Sequence, residues 1–197
     1  MTKAERTRQF IIEKTAPVFN MNGFEGTSLA DLQAATGLTK GSLYGNFSDK
    51  EEMALAAFQY AIREVKSAIQ NHLCKKETAR DKLMAMVLFF GRYVFHPPIQ
   101  GGCPLLNNAI EADDHHVSMK EVVSLEIENV IRFISGLIEE GKRNCEFRRD
   151  VKSRELAYVF FSAIEGAIMI SRVSSSDVAM KAVINHIRIL LNQIKNK

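Results

Sequence analysis

The stretch TSLADLQAATGLTKGSLYGNFSDK, residues 27–50, decides the fold of this chain. It begins with Thr27 and Ser28, residue types whose side-chain oxygens cap the first free amides of a helix. Apolar residues then recur at helical spacing up to Gly37, where a sharp turn requires a positive φ. The sequence therefore predicts a short helix that ends in a tight turn.

A second short helix is predicted over residues 40–47, after Leu38 as the apolar plug of the turn and Thr39 as a new N-cap. Leu43 and Phe47 are four residues apart, so both face inward. The outer surface then carries small or polar residues, namely Thr39, Lys40, Ser42, Tyr44, Gly45 and Asn46. Two short helices with this turn and this polar surface are typical of a helix-turn-helix.

The polar surface of the second helix has the chemistry that DNA contacts require. Hydroxyl and amide groups bond phosphates or base edges, and Gly41 and Gly45 allow close approach to the DNA backbone. Lys40 and Lys50 lie near helix starts, where exposed amides help to bind phosphate. A plain helical hairpin with a solvated polar face is the alternative interpretation, and the pattern favours DNA binding over it.

The rest of the chain is also predicted to be helical, which makes the protein all-α. Of its 197 residues, 46% are hydrophobic, and 11 Gly and 4 Pro are too few for a many-turned β fold. The opening helix is predicted to end at Gly23, and a capping box from Ser48 to Glu51 is predicted to start the next helix. Further helices are predicted over about 50–73, 78–93, from 104, 123–141, 153–173 and 176–194.

Composition and termini exclude several classes of protein. The net charge of +3 is too small to indicate a nucleic-acid partner by itself. No run reaches the roughly 20 apolar residues that span a bilayer, and the start MTKAERTRQF is polar where a signal peptide is apolar. The 3 cysteines have irregular spacing, which suggests neither disulfides nor a zinc site. We predict a cytoplasmic protein with no membrane partner.

One ordered string of residues resembles the N-terminal domain of the TetR family of bacterial transcriptional regulators. The string comprises Thr27, Leu32, Gly37-Leu38-Thr39, Lys40-Gly41-Ser42-Leu43-Tyr44, Phe47 and Lys50. The resemblance covers roughly residues 5–55. It implies a three-helix DNA-binding domain at 1–50 and a six-helix domain for ligand binding and dimerisation at 51–197.

The resemblance also implies roles for single residues. The predicted DNA-binding set is Thr27, Ser28, Thr39, Lys40, Gly41, Ser42, Tyr44, Asn46 and Lys50. Thr27 and Lys50 would clamp phosphates, Tyr44 would contact the backbone or a base edge, and the others would lie in or beside the major groove. Thr36 stands where many members have Ala, and Asn46 where many have His. A contact from Asn46 would be weaker and independent of pH.

The function implied by the resemblance is that of a repressor released from a palindromic operator by a small-molecule effector. A homodimer would place one recognition helix in each of two major grooves. Effector binding would shift the long helix over about 50–73 and change the separation of the two helices. The sequence has no glycine-rich phosphate loop, GxSxG elbow or metal-spaced histidines. We therefore predict neither an enzyme nor a cofactor.

The last two helices, about 153–194, are predicted to form the homodimer interface. Each carries an apolar face, and small residues such as Ala163 and Ala167 let helices approach closely. The alternative is that both faces complete the core of the protomer.

Candidate ligand-binding residues lie in the C-terminal part of the chain. They are Phe89, Phe90, Tyr93, Cys103, Phe133, Phe160 and Glu165. At helical spacing the aromatic residues also fit an ordinary core. Glu165 lies in an apolar helix and would pair with a cationic ligand, or with Arg172 or Arg92, and we favour the structural pairing.

Cys103 suggests an alternative function, a thiol-based repressor that responds to electrophiles or oxidants. It precedes a predicted helix start at Pro104, where free amides and the helix dipole favour the thiolate. The segment over 101–107 also resembles one in a TetR subgroup that includes electrophile-responsive repressors. A small buried residue in a tight loop is the interpretation that we favour.

A polar cluster follows the helix that starts at Pro104. It comprises Glu111, Asp113, Asp114, His115 and His116, whose side chains are of types that bind divalent metals. Neighbouring side chains on a helix point apart, so we predict a solvated helix end and no metal site.

Overall fold

The computed structural model describes residues 1–115 and 117–196, apart from the side chains of residues 114 and 115. Within these residues the elements are α1 (Lys3–Gly26), α2 (Leu29–Thr36), α3 (Lys40–Tyr44), α4 (Lys50–Leu73), α5 (Ala79–Tyr93), α6 (Pro104–His115), α7 (Val117–Arg143), α8 (Ser153–Val173) and α9 (Val178–Gln193). The predicted all-α fold is confirmed. An isolated β-bridge pairs Phe147 with Lys195.

The chain divides into two compact units. The first comprises Met1–Lys66 and Pro98–Val123, and the second comprises Ser67–Pro97 and Ser124–Lys197. This division differs from the predicted boundary between residues 50 and 51. The reason is that α6 packs against α1, which draws a segment from the middle of the sequence into the first unit.

The first unit begins with α1, whose helical path breaks near its end. Gly23 has a φ of 74° and a ψ of 177°, and a last turn then continues to Gly26. The predicted glycine break is therefore present, although the helical turn beyond it was not predicted. Ile11, Ala16 and Phe19 on α1 are buried in the core of this unit.

The α4 helix starts at Lys50, as predicted, but the side chains that cap it differ from the predicted pair. The Asp49 side chain accepts a hydrogen bond from the Glu52 amide at 2.7 Å, and Glu52 accepts one from the Ser48 amide at 2.7 Å. The predicted box between Ser48 and Glu51 is thus wrong. Asp49 is the residue just before the first helical residue, so its side chain caps the amide three positions later, while the Glu52 carboxylate reaches back to the Ser48 amide.

The second unit packs α9 against α5 and α8. Phe160, Ile187 and Leu191 are buried there. The Glu146 carboxylate accepts hydrogen bonds from the first two amides of α5, at 3.0 Å each, and so caps this helix. The α7 helix begins earlier than predicted, since its buried stripe extends back to Met119.

Candidate nucleic-acid interface

The turn between α2 and α3 has the predicted geometry. Gly37 has a φ of 70° in the left-handed region. The Thr36 hydroxyl donates to the Leu32 carbonyl at 2.7 Å and accepts from the Leu38 amide at 3.2 Å. The Thr36 side chain thus satisfies backbone groups on both sides of the turn, which an alanine at this position could not do.

The α3 helix is shorter than the predicted range of 40–47. Beyond Tyr44 the Gly45 amide still bonds to the Gly41 carbonyl, but the Asn46 amide bonds to the carbonyl only three residues back, at 3.0 Å. The chain therefore tightens into a turn after one and a half helical turns. Leu43 and Phe47 are buried as their spacing predicts.

The outward surface of α3 is polar and exposed. Thr39, Lys40, Gly41, Ser42 and Tyr44 are all exposed, and Tyr44 has 36% of its surface accessible. The Thr39 side chain accepts from the Ser42 amide at 3.3 Å and so caps the helix. These five of the predicted DNA-binding residues thus share one solvent-facing surface.

Thr27 does not lie on that surface. It is completely buried, and its hydroxyl donates to the Gly23 carbonyl at 2.6 Å. The hydroxyl stabilises the end of α1 in this structure, and the phosphate contact expected of Thr27 stays a prediction. Ser28 is exposed and caps α2, and its hydroxyl bond to Asp31 is the main reason that the pKa of this carboxyl lies below its usual value.

Asn46 lies in the turn after α3 and Lys50 is the first residue of α4, and both side chains have partners. The Asn46 amide group donates to the Ser42 carbonyl at 2.8 Å. The Lys50 ammonium lies 4.4 Å from the centre of the Phe24 ring, in a cation–π contact. Each is partly exposed.

Arg8 is a structural residue of this unit that the sequence analysis missed. Its guanidinium lies 4.0 Å above the Phe47 ring, donates to Glu52 at 2.5 Å and also donates to the Asn46 carbonyl. It therefore joins the turn after α3 to the first turn of α4. No local pattern marks this arginine, because its partners lie far along the chain.

The electrostatics around Glu52 favour its charged form. The Ser48 amide is the largest cause and Arg8 the next, and together with the Ser48 hydroxyl they lower the pKa of Glu52 from 4.5 to about 2. Hydrogen bonds to a carboxylate stabilise that form more than the protonated one. Glu52 is thus ionised in the folded protein near neutral pH.

The candidate ligand-binding residues are only partly brought together. In the second unit Phe89, Phe90 and Tyr93 form a cluster with ring centres 5.3 to 5.7 Å apart, and His72 lies 5.1 Å from Phe89. His72 was not predicted. Its signal was weak, because one histidine near a helix end has many ordinary explanations.

The remaining candidates have different surroundings. Phe160 is fully buried, Glu165 is half-buried, and Phe133 is 46% exposed. Cys103 belongs to the first unit, where it is 5% exposed in the bend between Gly102 and the first residue of α6.

The predicted polar cluster on α6 has specific partners where it is described. The Glu111 carboxylate accepts from the Phe24 amide at 2.6 Å, and Asp113 pairs with Lys120 at 2.8 Å. The side chains of residues 114–116 lie outside the described residues. Among the side chains that are described, His, Cys, Asp and Glu form no group suited to a metal ion.

The α8 helix carries a large apolar surface. It is the one described helix that is long and apolar enough to cross a membrane by length and composition, with a mean hydropathy of 1.5 and 33% of that window buried. Core helices of soluble proteins often have the same length and composition. The exposed apolar side chains of α8 are Tyr158, Val159, Met169, Ile170 and Val173.

Comparison with known proteins gives two family matches that cover most of the chain. The model described as bacterial regulatory proteins, tetR family, matches residues 11–57. The model described as the tetracyclin repressor-like C-terminal domain matches residues 79–187. The first match contains α2, the turn and α3, and the second runs from α5 into α9.

Similar structures and sequences agree with these matches. A TetR-family transcriptional regulator from Cytophaga hutchinsonii is 38% identical, with a TM-score of 0.95 over 100% of this chain and 98% of that chain. A TetR regulator from Chloroflexus aurantiacus is 33% identical, with a TM-score of 0.95 over 100% of both chains. The HTH-type transcriptional repressor DhaR of a Mycobacterium strain is 25% identical over 82% of this chain and 80% of its own length.

Proposed function

Because this chain belongs to the TetR family of bacterial regulatory proteins, and is therefore a DNA-binding transcriptional regulator and not an enzyme, we propose that it is a repressor that a small-molecule effector releases from a palindromic operator. The exposed polar surface of α3 carries this proposal. A similar protein, DhaR, is named a transcriptional repressor, which supports the direction of regulation. We place the protein in the cytoplasm, where its DNA is.

Residues 1–50 form the DNA-binding part of the proposed repressor. Ser42 and Tyr44 offer hydroxyls to base edges or phosphates, and Gly41 lets the DNA backbone come close. Lys40 and Lys50 supply positive charge near the helix starts. Since the chain carries a net charge of only +3, affinity depends on hydrogen bonds from two such surfaces acting together.

The proposed homodimer forms through α8 and α9, within residues 51–197. Val159 and Ile170 on α8 are each 51% exposed, and Ile189 on α9 is 46% exposed. Apolar side chains at this exposure are stabilised when a partner covers them, at roughly 25 cal/mol per Å² of apolar area. Two helices from each protomer would then form a four-helix bundle.

The proposed effector site is the aromatic cluster of the second unit. Phe89, Phe90 and Tyr93 bring apolar aromatic rings together, with Phe89 and Tyr93 buried, and Tyr93 and His72 add polar groups, a combination typical of small-molecule sites. His72 lies in the last turn of α4, and Glu52 lies in its first turn. A displacement of α4 at the cluster would therefore also act on the contact between Glu52 and Arg8.

Thiol sensing through Cys103 is the weaker alternative. The side chain is almost completely buried, so an electrophile has little access to its sulfur. Cys74 and Cys145 are exposed, and neither lies at a helix start. We therefore propose that Cys103 fills space in the bend before α6.

Selection from a random pool of DNA duplexes tests the proposed function. The wild-type protein should enrich one sequence whose two half-sites are related by two-fold symmetry and separated by about one helical turn, roughly 34–36 Å, or a multiple of it. A footprint on that duplex should cover both half-sites. A protein that enriches no sequence, or a single half-site only, would not be the proposed dimeric repressor.

A further inference from the structure

The chain does not pass smoothly from α1 into α2. The break at Gly23, with a φ of 74°, takes the amides that follow it out of the regular helical ladder. Helix starts of this kind are normally capped by a side chain of the preceding residue, such as Ser or Asp. Gly23 has no side chain, so the cap has to come from elsewhere.

Glu111 on α6 supplies this cap. Its two carboxylate oxygens accept from the Phe24 amide at 2.6 Å and from the Glu25 amide at 2.7 Å. A Cβ atom at position 23 would lie 2.8 Å from one of these oxygens, so a side chain there would displace the carboxylate, and the φ of 74° itself favours glycine. A negative charge at two adjacent amides is the favourable arrangement at a helix start.

The capped turn determines where the DNA-binding residues begin. Thr27 follows the turn and donates its hydroxyl to the Gly23 carbonyl at 2.6 Å, and Ser28 then caps α2. The Lys50 ammonium also lies 4.4 Å from the centre of the Phe24 ring. The turn therefore positions both the start of α2 and the lysine at the start of α4.

Side-chain hydrogen bonds join the α6 helix to α1, and they fix the position of Glu111. The Asn107 side chain donates to the Asn20 carbonyl at 2.8 Å and to the Gly101 carbonyl at 3.0 Å. The buried Asn20 side chain donates to the Gln100 carbonyl at 2.7 Å and to the Gly102 carbonyl at 3.1 Å. The first turn of α6 and the bend before it thus move together with α1.

We propose that Glu111 is a positioning residue for DNA recognition, which holds the turn before α2 in the geometry that lets α3 read its operator. This inference rests on the proposed function. It also assigns a route for release, because any movement of α6 that withdraws the carboxylate frees the turn that carries Thr27 and Phe24. Operator affinity then falls without any change in the residues that touch DNA.

The test compares Glu111→Ala and Glu111→Gln with Asp113→Ala as a matched control. Asp113 lies on the same helix, and its carboxylate pairs with Lys120. Asp113→Ala changes the net charge by the same amount as Glu111→Ala. Loss of a negative charge by itself raises the affinity for DNA, which is a polyanion. A fall in affinity on removal of Glu111 therefore has the opposite sign to a charge effect.

Affinity is measured for the duplex that the wild-type protein selects and for an unrelated duplex. We expect Glu111→Ala to lower the affinity for the selected duplex about tenfold and to leave the affinity for the unrelated duplex unchanged or higher. Glu111→Gln retains one acceptor oxygen, so its affinity for the selected duplex should lie between those of wild type and Glu111→Ala. The affinity of Asp113→Ala should match that of wild type. Hydrogen exchange at the Phe24 and Glu25 amides should be faster in both Glu111 variants.

Several results would overturn the inference. Equal affinity of the Glu111 and Asp113 variants for the selected duplex would do so, and so would a matching loss on both duplexes or unchanged exchange at the two amides. If Glu111→Ala does not fold, the same affinities and exchange rates of Glu111→Gln test the inference. If the wild-type protein selects no duplex, both the proposed function and this inference are wrong. If it selects a duplex but the Glu111 variants bind that duplex as wild type does, only this inference is wrong.

Discussion

The Arg8 guanidinium lies 2.5 Å from the Glu52 carboxylate while it stacks on Phe47 and bonds the Asn46 carbonyl. One side chain of α1 thus joins the turn after α3 to the start of α4. The ion pair is 38% exposed on each side, so solvent screening leaves it little net stabilisation. The stacking and the carbonyl bond are the larger contributions.

Replacement of Arg8 by Ala should lower the free energy of unfolding by about 1 kcal/mol, from the lost stacking on Phe47 and the lost bond to Asn46. Arg8→Lys keeps the charge but not the planar fork, and should recover only part of the loss. Urea denaturation measures both. Arg6 is exposed on the same helix, and Arg6→Ala should leave the urea midpoint unchanged. A similar loss in both alanine variants would show that Arg8 has no special role.

The ionisation of Glu52 should make stability depend on pH. Its pKa is lowered from 4.5 to about 2, so its contribution is fully present above about pH 4.5 and is lost as the pH falls from there towards 2. Glu52→Gln removes the titrating group. The difference in urea midpoint between wild type and this variant should therefore shrink as the pH is lowered from 6 to below 4. A difference that stays constant would contradict the assigned contacts.

The fold was predictable where the information is local. The period of 3.6 residues placed Leu43 and Phe47 inward, and Gly37 gave the turn its position. The contacts of Arg8 with Glu52 and of Glu111 with Phe24 join residues 44 and 87 positions apart. No periodicity carries such pairings, because they depend on how helices pack after they form.

The burial of Thr27 shows the same limit at a single residue. Its place just before α2 suggested an exposed cap, and the adjacent Ser28 does fill that role. Thr27 turns inward because the break at Gly23 leaves a carbonyl within reach of its hydroxyl. The sequence identifies the capping residue types, and the path of the chain decides which of them caps.

The dimer interface predicts that a charge on α8 prevents association. Ile170→Glu places a carboxylate in the proposed bundle, where an unpaired buried charge costs several kcal/mol, so we expect the dimer dissociation constant to rise at least about a hundredfold. Sedimentation equilibrium measures the constant. Leu88→Glu changes an equally apolar residue of α5 that is 48% exposed, and it should leave the dimer intact. A dimeric Ile170→Glu protein would place the interface elsewhere.

The packing role of Cys103 predicts slow alkylation. N-ethylmaleimide should label the exposed Cys74 and Cys145 first and Cys103 much more slowly, as mass spectrometry of the native protein would show. DNA bound to the protein should remain bound during the first two labelling events. Rapid labelling of Cys103 with release of DNA, absent in Cys103→Ser, would instead establish thiol sensing.

In the proposed function the α3 helix reads the DNA. The salt-dependent affinity of a double variant for the selected duplex tests this role. Lys40→Ala with Tyr44→Ala should lower specific affinity by more than about a hundredfold, because each group supplies contacts of about 1–3 kcal/mol in each protomer. Loss of one lysine from each protomer should also reduce the salt slope by about 2. Folding and dimerisation should be unchanged.

The control removes a lysine and an aromatic residue away from α3. Lys76→Ala with Phe95→Ala alters two exposed residues and should bind the selected duplex as wild type does. We expect a large loss of affinity in the α3 variant alone. Equal affinities of the two double variants for the selected duplex would contradict it.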